Sequence, residues 1–148
     1  MYWLLSISIL VGALATVEDL RRRQISNKTT AGAFALGLAA QTALHGLKGD
    51  GSSLAGSVTG FLVFIIFFLL GGMGAGDIKL MAGFGAVVGF SQILQAALLT
   101  AITGAVFALL YLLAGKLRGQ FRKGAGKAEA IPYAPAITLG VLLSFAAR

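Results

Sequence analysis

The chain has 148 residues, 57% of them hydrophobic and 11% charged, a formal net charge of +7 and a mean hydropathy of +0.89. Ordinary soluble domains carry about 25% charged and about 45–50% apolar residues, so a soluble globular domain and a disordered tail are both excluded. A transmembrane helix uses about 20 apolar residues, which leaves room for at most about seven spans and for one membrane-embedded domain over residues 1–148.

There is no Cys, which removes disulfides, thiol nucleophiles and Cys-based metal sites, and the single His45 cannot build a multi-His site. In a soluble protein the 12 Lys and Arg against 5 Asp and Glu would raise nucleic acid as a partner. In a membrane chain the same charges collect in cytoplasmic loops, so no nucleic acid is expected.

Residues 2–17 carry no charge and read as a first transmembrane helix. A signal peptide fits poorly, because the basic cluster Arg21, Arg22, Arg23 and Lys28 follows the apolar stretch instead of preceding it. Those cations belong in the cytoplasm, which places the N-terminus outside. Residues 29–47 form the second span, ending in a short outer turn of Lys48, Gly49, Asp50 and Gly51. The third runs through 61–70 and dissolves into Gly71-Gly72-Met73-Gly74-Ala75-Gly76, where so many glycines call for a loop. After Asp77 and Lys79, residues 80–115 are uncharged and hold two short spans, with Ser91-Gln92 as the expected outer turn. A basic segment with Lys116, Arg118, Arg122, Lys123 and Lys127 precedes the last span, 131–147, which Pro132 and Pro135 open.

The expectation is an all-α, polytopic bundle of six transmembrane helices with both termini outside. Of the Lys and Arg residues only Lys48 and Arg148 then lie outside, consistent with the positive-inside rule. No repeat at 20–50 residues is visible. The spacings Gly56-xxx-Gly60 and Gly85-xxx-Gly89 would let helices approach closely, although Gly is common in any membrane bundle.

Five acidic residues are available for chemistry. Asp50 reads as a solvated turn residue, and Glu129 balances the basic segment around it. Glu18 and Asp19 close the first span and Asp77 the inner end of the third, so Asp19 and Asp77 share a membrane depth on different helices. A carboxylate at a membrane boundary needs a partner or water. Two close carboxylates resist double ionisation and hold one proton between them. One can then deprotonate water while the other polarises a carbonyl and protonates the leaving amine. This aspartic-protease logic requires no metal, Cys or His. Gly74 and Gly76 would shape a loop beside Asp77 that admits a substrate strand. Lys79 would either snorkel to headgroups or tune the acid pair. The blander alternative is that both aspartates cap helices or bridge to the arginines.

These residues resemble a known family. Gly74-Ala75-Gly76-Asp77-Ile78-Lys79-Leu80 matches the GxGD motif of membrane-embedded aspartic proteases. Asp19-Leu20-Arg21-Arg22-Arg23-Gln24-Ile25-Ser26-Asn27 resembles the first-aspartate segment of type IV prepilin peptidases, and Ile131-Pro132-Tyr133-Ala134-Pro135-Ala136 their entry to the last span. The resemblance implies an endopeptidase that removes the leader of prepilin-like proteins at the cytoplasmic face of the inner membrane. Asp19 and Asp77 would be the catalytic pair, the partners would be a prepilin substrate and the bilayer, and no cofactor would be needed. Ser26 stands where the family commonly has Pro, which is expected to loosen that turn. With no Cys for the larger enzymes' added segment, the chain is similar to the short forms of Flp (tight-adherence) pilus systems and archaeal preflagellin peptidases, without N-methylation. The basic loops would repel a positive leader, so Asp19, Glu18 or Glu129 is expected to meet its Lys and Arg. A small transporter using the same two carboxylates as a proton or cation relay is the competing reading.

Overall fold

The computed structural model of the chain describes residues 2–117 and 131–147, and every regular element among them is a helix. In chain order these are α1 (Tyr2–Arg22), α2 (Asn27–His45), α3 (Leu47–Leu69), α4 (Ala75–Val88), α5 (Phe90–Leu117) and α6 (Ala134–Ala146). Three of them, α1, α3 and α5 (its apolar stretch Phe90–Gly115), are long and apolar enough to cross a membrane. Of the six expected spans, these three meet the length and composition that a crossing helix needs. α4 has only 14 residues and α6 only 13, short of the 20 or so that a bilayer core asks for. The basic positions Arg118, Arg122, Lys123 and Lys127, together with Glu129, lie outside the described residues.

α4 is the central rod. Ten of its 14 residues are buried, from Asp77 to Val88, and it packs against all five other helices. Leu80, Met81, Phe84 and Val87 are wholly enclosed. The outward faces of α1, α3 and α5 instead carry Leu, Ile, Val and Phe in the open, among them Leu14, Leu62, Ile66, Leu98 and Leu109. That inversion suits a bundle whose solvent is lipid.

The two glycine spacings read from the sequence pack on each other. A Cβ on Gly85 would stand 2.2 Å from the Gly56 carbonyl oxygen, and one on Gly56 would stand 2.3 Å from the Gly85 oxygen. α3 and α4 thus meet backbone to backbone, an approach that no side chain permits.

Two turn boundaries differ from expectation. Lys48, Gly49, Asp50 and Gly51 form no turn: α3 already begins at Leu47, and the reversal is confined to Gly46 at φ 60°. Asp50 sits in the first turn of α3 and accepts a hydrogen bond from the Thr42 hydroxyl, so it complements the helix N-terminus. Likewise Ser91 and Gln92 lie inside α5, and the break is the single residue Gly89 at φ 79°. A left-handed glycine reverses the chain in one step, where a polar pair suggested a longer turn.

Ending α4 abruptly leaves carbonyls without helical partners. Ser53 Oγ donates to the Ala86 oxygen at 2.9 Å and Gln41 Nε2 to the Val87 oxygen at 2.8 Å. The Phe90 N–H that opens α5 donates to Ser52 Oγ at 3.1 Å. Gln92 Nε2 in turn donates to the Ser144 carbonyl near the end of α6 at 3.0 Å. Ser53, Gln41 and the Gln92 amide nitrogen thus serve helix-end carbonyls, which lipid would leave unsatisfied.

Candidate active site

Asp19 lies in the last turn of α1, on the stripe Leu4, Ser8, Val11, Gly12, Ala15 and Asp19 that faces inward. The helix ends there because Arg23 turns left-handed at φ 51°, its N–H closing on the Asp19 carbonyl at 2.8 Å. Asp77 lies in the first turn of α4, one turn into the central rod. It belongs to the start of the fourth helix and not to the end of the third, because the glycine loop is shorter than expected. The loop spans residues 70–74, and Ala75 and Gly76 are already helical.

Both acids line one cavity of ≈ 360 Å³, with Arg23, Asn27, Gly74, Gly76 and Lys79 also on its walls. Each is nonetheless nearly buried, Asp19 at 6% and Asp77 at 7% exposure. Each is also held by a backbone donor at the start of a helix. Asp77 Oδ2 accepts the N–H of Gly74, the cap of its own helix, at 3.1 Å. Asp19 Oδ2 accepts the N–H of Ala134, the first residue of α6, at 2.9 Å. Two helix N-termini therefore converge on the pair and place partial positive charge beside it. Each carboxylate thus caps a helix, as the blander alternative has it, and also faces the shared cavity.

The remaining expected residues fall around this pair. Gly76 brings α4 against the α1–α2 turn, since a Cβ there would stand 3.2 Å from that of Ile25. Lys79 is exposed, and its Nζ donates to Asn27 Oδ1 at 2.9 Å, tying α4 to the start of α2 across the cavity rim.

Glu18 ties the α1–α2 turn. Its carboxylate accepts the Ser26 N–H at 2.9 Å and the Ser26 hydroxyl at 3.0 Å, while Ser26 Oγ caps α2 by accepting the Thr29 N–H at 3.1 Å. Ser26 thus tightens the turn it was expected to loosen, because a proline has no N–H to give and no hydroxyl to cap with. Ser26→Ala should cost about 1 kcal/mol through the lost cap. Ser26→Pro fits the observed φ of −69° and gains roughly 0.4–1 kcal/mol from a stiffer unfolded chain. It forfeits a hydrogen bond to a charged group worth about 1.5–3 kcal/mol, so it should be the less stable of the two. Chemical denaturation in detergent checks this, and a proline variant as stable as Ser26→Ala would refute it.

Two features of the site were not visible in the sequence. The Ala134 N–H is a backbone donor far along the chain from Asp19, which no side-chain pattern announces. The Glu18–Ser26 link was hidden by the assumption that a serine merely replaces a proline.

Three comparisons bear on identity. A family model described as the type IV leader peptidase family matches residues 5–109, a stretch that contains Asp19 and Asp77. The chain is 32% identical over 110 residues to the prepilin leader peptidase/N-methyltransferase of Bacillus subtilis (strain 168), covering 73% of this chain and 41% of that protein. It is 32% identical over 150 aligned positions to the prepilin leader peptidase/N-methyltransferase of Legionella pneumophila, covering 97% of this chain and 49% of that protein. The chain thus spans less than half the length of either relative. No solved structure matches it. A family match across most of the chain, running through both cavity acids and the glycine loop between α3 and α4, makes this chain a member of the type IV leader peptidase family.

Proposed function

We propose that the chain is an intramembrane aspartic endopeptidase that removes the leader of prepilin-like proteins at the cytoplasmic face of the inner membrane. The observation that carries this reading is the shared cavity: Asp19 from α1 and Asp77 from α4 open onto one space at one end of the bundle. The family match and the names of the two relatives point to the same substrate class.

In this reading one carboxylate of the pair is ionised and the other holds the proton. The ionised member removes a proton from water as the water oxygen bonds to the scissile carbonyl carbon. The protonated member gives its proton to the developing oxyanion. As the tetrahedral intermediate collapses, the C–N bond breaks and the amine leaves with a proton returned by a carboxyl group. Gly74 and Gly76 keep the wall beside Asp77 low enough for an extended strand, and Lys79 braces the rim through Asn27. The test is leader removal from a prepilin by the purified chain, read by mass, with the Asn variants of both acids beside it.

The reading includes six spans with the N-terminus outside. α2, α4 and α6 then cross as shorter or shielded helices within the frame of α1, α3 and α5. The chain has no Cys, so one introduced thiol is unambiguous. Lys48→Cys should react with a membrane-impermeant maleimide on intact cells. Lys28→Cys should react only after permeabilisation. The opposite pattern would invert the topology and move the acid pair to the wrong face.

A further inference from the structure

A second cavity, of ≈ 240 Å³, lies between α3, α5 and α6. Phe64 and Phe67 of α3 form one wall, and Tyr133 and Ile137 the other. Its floor is the α5 stripe Ala101, Gly104, Ala105 and Ala108, spaced i, i+3, i+4 and i+7 on one helix face. The cavity exists because α5 and α6 splay. They touch tightly at Gly140, where a Cβ would stand 2.4 Å from Thr100 Cα, whereas a Cβ on Gly104 would meet nothing nearer than Tyr133 Cδ1 at 4.0 Å. The splay opens toward the end of the bundle that holds the acids.

We infer that this cavity receives the apolar segment of the protein substrate that follows the scissile bond, a conclusion that rests on the peptidase reading above. Continuity with the acid cavity is the main ground. Met73 lines the apolar cavity, and the next residue, Gly74, donates to Asp77. Tyr133 lines it from the other side, and the next residue, Ala134, donates to Asp19. One peptide unit on each side separates the apolar space from the group that holds a carboxylate. A chain whose peptide bond lies between the acids therefore runs directly over this threshold into the space between Phe64 and Tyr133. The lining dictates an apolar occupant at the depth of α3 and α5. The volume suits one or two large apolar side chains of that segment, since a cavity of about 150 Å³ takes a benzene ring. The small-residue floor lets an incoming helix approach α5 closely. A free lipid chain could enter an apolar slot, but nothing would tie that slot to both acids through Met73 and Tyr133.

The test crosses a change in the cavity with a change in the substrate. Gly104→Leu fills the floor, and Ala108→Leu fills it less; both are first checked for unchanged melting in detergent. The probes are a prepilin and the same prepilin with the large apolar residues just after the junction changed to Ala. For the parent enzyme the Ala substrate should lose about 10-fold or more in kcat/KM, the size that pocket contacts of this kind give. With Gly104→Leu the intact substrate should fall by a similar factor, mostly through KM, and the Ala substrate little further. Independent, additive losses would overturn the assignment. A benzoylphenylalanine at position 105 should cross-link to the first turn of the substrate beyond the junction. Adducts only with lipid, or with a second copy of the chain, would also overturn it. If the parent cleaves neither probe, the peptidase reading itself fails. If it cleaves both and the losses add, only the cavity assignment fails.

Discussion

Asp77→Asn and Asp19→Asn should each lower leader cleavage by roughly 10²–10⁴-fold, the range that a positioned acid or base contributes, while the protein accumulates and inserts normally. Asn is the informative substitution because its amide oxygen still accepts the N–H that each carboxylate now holds, from Gly74 on one side and Ala134 on the other. It removes ionisation and leaves the helix starts in place. Alanine confounds the two, since an orphaned buried N–H costs about 1–3 kcal/mol by itself. The measurement is the ratio of mature to unprocessed prepilin, with insertion checked by membrane fractionation. Parental cleavage by either Asn variant would remove that acid from the mechanism. Parental cleavage by both would remove the mechanism.

Gly85→Ala and Gly56→Ala should be the most damaging small changes away from the acids. In each, the new methyl would enter the space of a carbonyl oxygen on the facing helix, and neither backbone can rotate aside as a side chain would. Overpacking of this kind costs about 1–3 kcal/mol and occasionally more. The damage should reach the site, because a shifted α4 carries Asp77 with it. Gly51→Ala is the control: it sits in α3 with nothing within 4 Å of its Cβ, and an exposed helical Gly→Ala gains up to about 1 kcal/mol. Denaturant midpoints of the three variants should order Gly51→Ala above parent, and parent above the other two. Gly56→Ala and Gly85→Ala at or above parental stability would refute the contact.

The all-helical class was legible because hydropathy reports the solvent, and lipid leaves few alternatives to helices. The approach of Asp19 and Asp77 was legible too, since charges mark the ends of apolar runs and ends on one side must come near each other. Boundaries were less so. Lys48 and Asp50 look like a turn, yet a helix started by a left-handed Gly46 absorbs them, and Asp50 improves its first turn. Ser91 and Gln92 look like a loop, yet Gln92 is buried because the end of α6 needs its amide. In both places a polar residue was read as a mark of water, where it completes the hydrogen bonding of a neighbouring helix. Ser26 misled in the same way: its worth lies in a partner, Glu18, that a comparison of residue types does not show. α4 reads in the sequence as one of two short spans, and only its packing against all the others reveals it as the axis.

Asp77 and Asp19 are each gripped by a main-chain amide, of Gly74 and of Ala134. Since every residue except proline carries an amide, the grip is written in the route of the chain and in no letter of the alphabet. A mutational survey that trims side chains one at a time leaves both amides in place, and would therefore miss this part of the scaffolding that aims the acids.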